Sequence, residues 1–451
     1  MSMDKAPKNN VFYRNQNWYY PKITHGKGIY LYDENGKEYI DGCSGSSVAN
    51  IGHGNEEVAE VAATQIKTVA FSHLSRFTTN AIENCCKEVA DLTPGDVNHS
   101  YLVSGGSEAT ESAIKLARQY FVERDINTSK WKIISRWKSF HGNTMGSLSM
   151  TGITGRRKIY DPILINFPKI NQAYCYRCPY KTYPDKCSFE CAYELENQIT
   201  QTGPENISAF IAEPVIGSAV PGANPPKEYF KIIREICTEY DVLLIIDEVM
   251  AGFGRTGKNF GIDHYDVIPD IITTAKGMSC GYTPIGAAIV NDRIFNTIMV
   301  EGTGNFIHGH TYGGNPLSAA IADCVLKITK RENYFENSAE QGVCLMDKLQ
   351  VLYDLPIVGD IRGKGLMIGI EFVENQKTKK PFESSLKIKD KITKCCLDEG
   401  LVVYPGGGSV DGVRGDHILL APPINITSDE VEELFCRLKK GMENFINQNK
   451  Y

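Results

Sequence analysis

The sequence predicts an α/β protein: a mainly parallel sheet with helices on both faces, plus a smaller α+β domain built from both chain ends. Three observations carry this. Short β-branched runs alternate with helical patterns between about residues 100 and 300. Several of those runs are apolar without alternation, which suits strands covered on both faces. After about residue 320 the pattern changes to a long helix, a strand and a last helix. A strand–helix–strand order implies right-handed crossovers and parallel neighbours.

Taken in chain order, residues 1–60 are aromatic and turn-rich, and "YLYDENGKEYID" reads as a hairpin through Asn35-Gly36. Candidate strands follow at Tyr101–Val103, Lys132–Ser135, Ile207–Ala212, Val242–Ile246, Ile271–Ala275 and Ala287–Val290. Between the first two, a helix is expected over Ser107–Phe121, with Ala109, Ala113, Leu116, Ala117 and Tyr120 on one stripe. A strand at Leu366–Phe372 and a helix at Thr427–Asn447 belong to the second unit. The expected division is 1–60 as an N-terminal segment joining the small domain, 61–320 as the large domain and 321–451 as the C-terminal small domain. A length of 451 residues suits two or three units at ~150 residues each.

Apolar content of 42% and charged content of 23% are ordinary for a globular protein. A net charge of −6 offers no bulk attraction to nucleic acid or to an anionic membrane. No apolar run approaches the ~20 residues of a membrane span. The start, "MSMDKAPKNNVFYRNQNW", lacks the apolar core of a signal peptide. Fourteen cysteines without an export signal read as reduced thiols, so a cytoplasmic location is expected.

The stretch "LLIIDEVMAGFGRTG" spells G-x-G-x-x-G after a strand. A dinucleotide turn needs its third glycine to open a helix, because the helix N-terminus binds pyrophosphate. Here Gly257 is followed by "KNFGIDHYDVIPD", with no helical stripe, and Asp247-Glu248 would repel a pyrophosphate. A structural turn is expected instead. Asp247 closes a buried strand, where open sheets place their ligands. Lys276, in "IITTAKGM", closes another strand and emerges at the same rim. A lysine in a low-dielectric cleft loses basicity and becomes a nucleophile toward an aldehyde. A Schiff-base lysine and an aspartate on a pyridinium nitrogen are the two essentials for holding pyridoxal phosphate. That cofactor also needs a phosphate cradle, and "YLVSGGSEATESAIKLARQYF" supplies strand, Gly105-Gly106 and helix, with a Ser107 hydroxyl. Aromatic neighbours for a flat ring are offered by Phe140 and His141 in "SFHGNT".

Together, "SGGSEATE", "FHGNT", "IAEPVIG", "IIDEVMAGFGRTG", "TTAKGM", "HGHTYGGNPLSAA" and "GDHILLAPPI" resemble the class III aminotransferases, pyridoxal-phosphate enzymes of fold type I. The motifs stand in that family's order over nearly the whole chain. The resemblance implies Lys276 as the Schiff-base lysine, Asp247 on the pyridine nitrogen, and Val249 and Phe140 on the two ring faces. It places Gly106 and Ser107 at the phosphate and Glu213 near the substrate. Thr311 would reach the phosphate of the neighbouring subunit in a homodimer with shared sites. The implied activity moves an amino group from an ω-amino acid or amine to a 2-oxo acid such as pyruvate, with ping-pong kinetics.

Departures from the pattern refine this. Met250 stands where many members carry Gln, as in relatives acting on ω-amines, and Leu419 stands where carboxylate-binding members carry Arg. Arg414, in "GVRGDH" between Gly412 and Gly415, is the expected substrate-carboxylate anchor, with Arg76 and Arg177 as rivals. Ser46 and Ser47 replace bulky residues of some relatives, which implies a roomier pocket. A racemase or epimerase of the same family is the alternative activity. A third reading, a zinc or Fe–S binding protein, rests on Cys175, Cys178, Cys187 and Cys191, spaced C-x2-C-x8-C-x3-C. Zinc sites usually repeat short C-x2-C pairs, so ordinary thiols and no metal are expected.

Overall fold

The central sheet has seven strands, in the spatial order Val97–Val103, Gly286–Asn291, Ile271–Thr274, Leu243–Asp247, Ile207–Ala212, Lys132–Arg136 and Lys169–Ile170. The computed structural model describes residues 6–7 and 9–449; the first residues of the N-terminal segment and the last two of the chain lie outside the described residues. All six expected strands are present, shifted by a few residues at their ends. Lys169–Ile170 is an edge strand that the sequence reading did not contain. Six strands run parallel; Gly286–Asn291 is antiparallel to both neighbours.

Continuous apolar runs in these strands follow from burial on both faces. In Leu243–Asp247, Leu244 and Ile246 join one buried cluster with Phe210, Ile272, Phe230 and Ile233. Leu243 and Ile245 join another on the opposite face with Ala209, Ile211, Ile133 and Ile271. Successive residues point to opposite faces, so each must be apolar. The helix Gly106–Arg124 covers the second face through Ala113, Leu116, Ala117, Tyr120 and Phe121. The helix Tyr229–Glu239 covers the first through Phe230, Ile233 and Ile236.

Past the helix Pro316–Arg331, the chain builds an antiparallel sheet of Val358–Lys364, Met367–Phe372, His417–Leu420 and Tyr404–Gly406. It packs with the helices Tyr334–Leu349, Ile388–Asp398 and Ser428–Asn449. At the other end, Tyr30–Asp33 pairs antiparallel with Glu38–Asp41, as expected for the hairpin, and Ile23–Lys27 extends it. The hairpin does not close its own sheet. Ile40 and Asp41 pair in parallel with Leu401 and Val402 near the far end of the chain.

The Gly252–Gly257 loop is a chain of turns, and Gly257 opens no α-helix; only a short 3-10 turn follows at Gly261–His264. Its Arg255 is completely buried and donates to the carbonyls of Leu366 and Pro422, to Ser44 Oγ and to Asn50 Oδ1. A guanidinium offers five donors in a fixed fork, and this one joins four separate stretches of chain.

Candidate active site

A cleft of about 150 Å³ opens at the carboxyl ends of the parallel strands, lined by Gly106, Ser107, Phe140, His141, Gly142, Glu213, Val215, Asp247, Val249, Met250 and Lys276. Asp247 is the last residue of its strand, and Lys276 follows Ile271–Thr274 by two residues. Those strands are adjacent and parallel, with Asp247 opposite Thr273. Strand direction alone therefore delivers carboxylate and amine to one rim.

Lys276 adopts a left-handed backbone with φ of 43°. Such a conformation costs a non-glycine residue ~1–3 kcal/mol and persists where the surroundings impose it. Burial pulls the amine down to about 8; Asp247 and Glu213 oppose the shift, while Arg255 and Arg156 add to it. Asp247 is 4% exposed. Its Oδ2 accepts from His141 Nδ1 at 2.7 Å and its Oδ1 from the Val249 amide at 3.1 Å. His141 is thus a clamp on Asp247 rather than a free aromatic surface. Glu213 accepts from the amides of Phe140 (2.8 Å) and Gly217 (3.0 Å), and burial raises its pKa. The neighbouring Glu248 faces away, accepting from the amides of Gly261 and Ile262.

The helix Gly106–Arg124 begins at the cleft wall, aiming its first amides there. Gly106 has no room for a side chain, because a Cβ would stand 2.8 Å from Val249 Cγ1. Ser107 Oγ accepts from the Asn143 amide at 3.1 Å. Backbone donors, a hydroxyl and the positive end of a 19-residue helix form a donor set suited to a phosphate.

Other expected residues lie elsewhere. Thr311 is exposed on the Gly302–Asn315 loop and is not among the lining residues. Arg414 is partly exposed, with Nε 2.8 Å from Asp411 and Nη1 3.5 Å from Glu383. Arg177 is tied to buried Glu371 at 2.7 Å, and Arg76 is exposed on a turn. Leu419 is a buried strand residue, and Ser46 and Ser47 do not line the cleft. Cys175, Cys178, Cys187 and Cys191 border one small cavity with Tyr174, Tyr180 and Phe189, and all are free thiols. Among the described residues, no group of three or more His, Cys, Asp or Glu side chains is arranged to hold a metal ion. No described helix is long and apolar enough to cross a membrane.

One residue near the site escaped sequence reading. Arg156 places its guanidinium 4.8 Å from the Phe140 ring centroid. In the sequence it is half of an Arg156-Arg157 doublet in a polar turn, with nothing to separate it from a solvated pair.

The geometry has counterparts in known proteins. The chain is 41% identical to the uncharacterized aminotransferase YodT of Bacillus subtilis, over 92% of this chain and 93% of that one. It is 33% identical to the putrescine–pyruvate aminotransferase of Pseudomonas aeruginosa, over 93% and 90% of the two chains. The omega transaminase from Pseudomonas jessenii, solved in complex with PMP, superimposes with a TM-score of 0.88 at 31% identity, over 95% and 93%. The family model for class-III aminotransferases matches residues 12–442. With its strand-end lysine and aspartate set in that framework, the chain belongs to the class-III aminotransferases.

Proposed function

We propose that this aminotransferase binds pyridoxal phosphate and moves an amino group from an ω-amino acid or amine to a 2-oxo acid such as pyruvate. The observation that carries the reading is the buried amine of Lys276, lowered to about 8, facing Asp247 in one cleft. Lys276 would bond the cofactor, Asp247 would meet its pyridine nitrogen, and Phe140 and Val249 would flank the ring. Gly106, Ser107 and the first helix turn would hold the phosphate. When bound, pyridoxal phosphate supplies an electrophilic carbon for amines and a conjugated ring that takes up electrons from the substrate carbon.

The chain's own residues would do the rest. An amine near 8 exchanges protons readily close to neutrality, so Lys276 Nζ, when free, would take and return a proton at the donor carbon. His141 and the Val249 amide hold Asp247 in one orientation. Met250 lines the cleft and offers no hydrogen-bond donor. Donor and acceptor would use the same cleft in turn, which predicts ping-pong kinetics.

A homodimer is also proposed, with Thr311 reaching the partner's phosphate site. Exposed Phe77, Ile307 and Tyr312, at 67, 74 and 66%, support a covered surface beside that loop. Reduced thiols support a cytoplasmic location. The decisive experiment is borohydride reduction of the holoenzyme followed by peptide mapping, with amine donors screened against pyruvate and 2-oxoglutarate. Label on Lys276, and loss of turnover in Lys276→Ala, are expected; label on another lysine refutes the assignment. Product formation only when a 2-oxo acid is present separates amino transfer from racemisation.

A further inference from the structure

Substrates of this class carry a carboxylate, and a carboxylate leaving water needs a fixed cation. The arginines nearest to that description differ in one respect: whether they are already occupied. Arg177 is paired with Glu371, Arg255 with four oxygens in the core, and Arg157 with Asp161 at 3.0 Å. Arg414 is held by Asp411 and Glu383. The backbone amide of Arg156 donates to the Ile153 carbonyl at 3.1 Å, but its guanidinium makes no ion pair or hydrogen bond with any described residue. The guanidinium lies over the ring of Phe140, itself a wall of the cleft.

Placement adds to this. Arg156 sits in the short helix Thr154–Arg157, beside Gly155. The turn packs against the loop that carries Arg414, since a Cβ at Gly412 would stand 2.9 Å from Thr154 Oγ1. The two arginines therefore occupy adjoining turns, one engaged and one free. The Arg156 charge also reaches the reacting amine, helping to lower the Lys276 pKa. A guanidinium stacked on an aromatic ring has its plane set while its N–H edge stays open, the geometry that grips two carboxylate oxygens.

We propose that Arg156, not Arg414, is the cation that anchors the carboxylate of the 2-oxo acid acceptor, with Phe140 as the platform that orients it. This rests on the transamination reading of the cleft, so the test separates the two. The holoenzyme in its aminated form is reacted with pyruvate and, separately, with butanal, which has the carbonyl but no carboxylate. Arg156→Ala is expected to lose at least about tenfold more kcat/KM with pyruvate than with butanal, chiefly through KM. Arg156→Lys should recover part of that loss, and Arg414→Ala should show no such preference. Equal losses on both acceptors, or a pyruvate-selective loss in Arg414→Ala alone, overturn the proposal. Propanoate binding to the holoenzyme, followed by calorimetry, gives a readout independent of turnover. Weaker binding in Arg156→Ala supports the anchor even if wild type transfers no amino group; equal binding in both proteins refutes it.

Discussion

Lys276 and Asp247 line one cleft but are held differently, the amine by burial and the carboxyl group by His141 and the Val249 amide. Burial lowers the lysine to about 8 from its usual 10.5. The folded state thus binds that proton less tightly than the unfolded chain. In cofactor-free protein the buried ammonium costs stability fully below pH 8, and the cost fades as pH rises from about 8 toward 10.5. Lys276→Met should therefore stabilise the cofactor-free protein at pH 7, on the order of 3 kcal/mol at 1.36 kcal/mol per pKa unit. Urea unfolding at pH 7 and pH 10 should show that advantage shrinking; a constant difference would contradict the lowered amine. For Asp247, the clamp from His141 is a hydrogen bond to a charged group, worth ~1.5–3 kcal/mol. Asp247→Ala should lose most activity while still folding, with an unfolding midpoint lowered by the loss of that ~1.5–3 kcal/mol bond. His141→Ala should lose less, and His141→Asn, which keeps an N–H donor, should recover part. A full rate in Asp247→Ala would return the site to open question.

Among elements, the strand-to-helix turn at Gly105-Gly106 has little tolerance at its second glycine. A methyl group at residue 106 meets Val249 at 2.8 and 3.0 Å, and overpacking of this kind costs ~1–3 kcal/mol. Gly106→Ala should weaken pyridoxal phosphate affinity by roughly tenfold or more, measured by titration of cofactor-free protein, because the helix N-terminus must recede. That turn was legible in the sequence because two glycines separate an apolar strand from a helical stripe, although such a pair alone is commonly just a turn. Strands such as Ile207–Ala212 and Leu243–Asp247 were legible because every residue is buried, whereas Val97–Val103 was read only from Tyr101 because Asn98, His99 and Ser100 interrupt its apolar run. The antiparallel course of Gly286–Asn291 was not, since composition does not record which way a strand runs. Lys169–Ile170 was too short to leave a pattern. Asp247 and Lys276 could be paired from sequence because each closes a strand. Arg156 could not, because its distinction is a missing partner, and only three-dimensional placement reveals that.

On the scale of the whole molecule, Arg255 links the Gly252–Gly257 loop to stretches near both ends of the chain. Removing it leaves the Leu366 and Pro422 carbonyls and Asn50 Oδ1 without that donor, all in the interior. Arg255→Ala is expected to destabilise the protein by about 3 kcal/mol or more, from several hydrogen bonds to a charged group; an unchanged urea midpoint would remove its role as a strut. The proposed division near residues 60 and 320 is supported by the same closure, because the N-terminal hairpin borrows Leu401–Val402 as its fourth strand. That borrowed strand also sets a clock. The hairpin leaves the ribosome about 360 residues before its partner, a wait of roughly 20–70 s at ~5–20 residues per second. Throughout that interval Glu38–Asp41 presents an open edge, the kind of surface that pairs with other nascent chains. Yield of native protein should therefore depend on how quickly the last quarter of the message is translated, even though no catalytic group is encoded there.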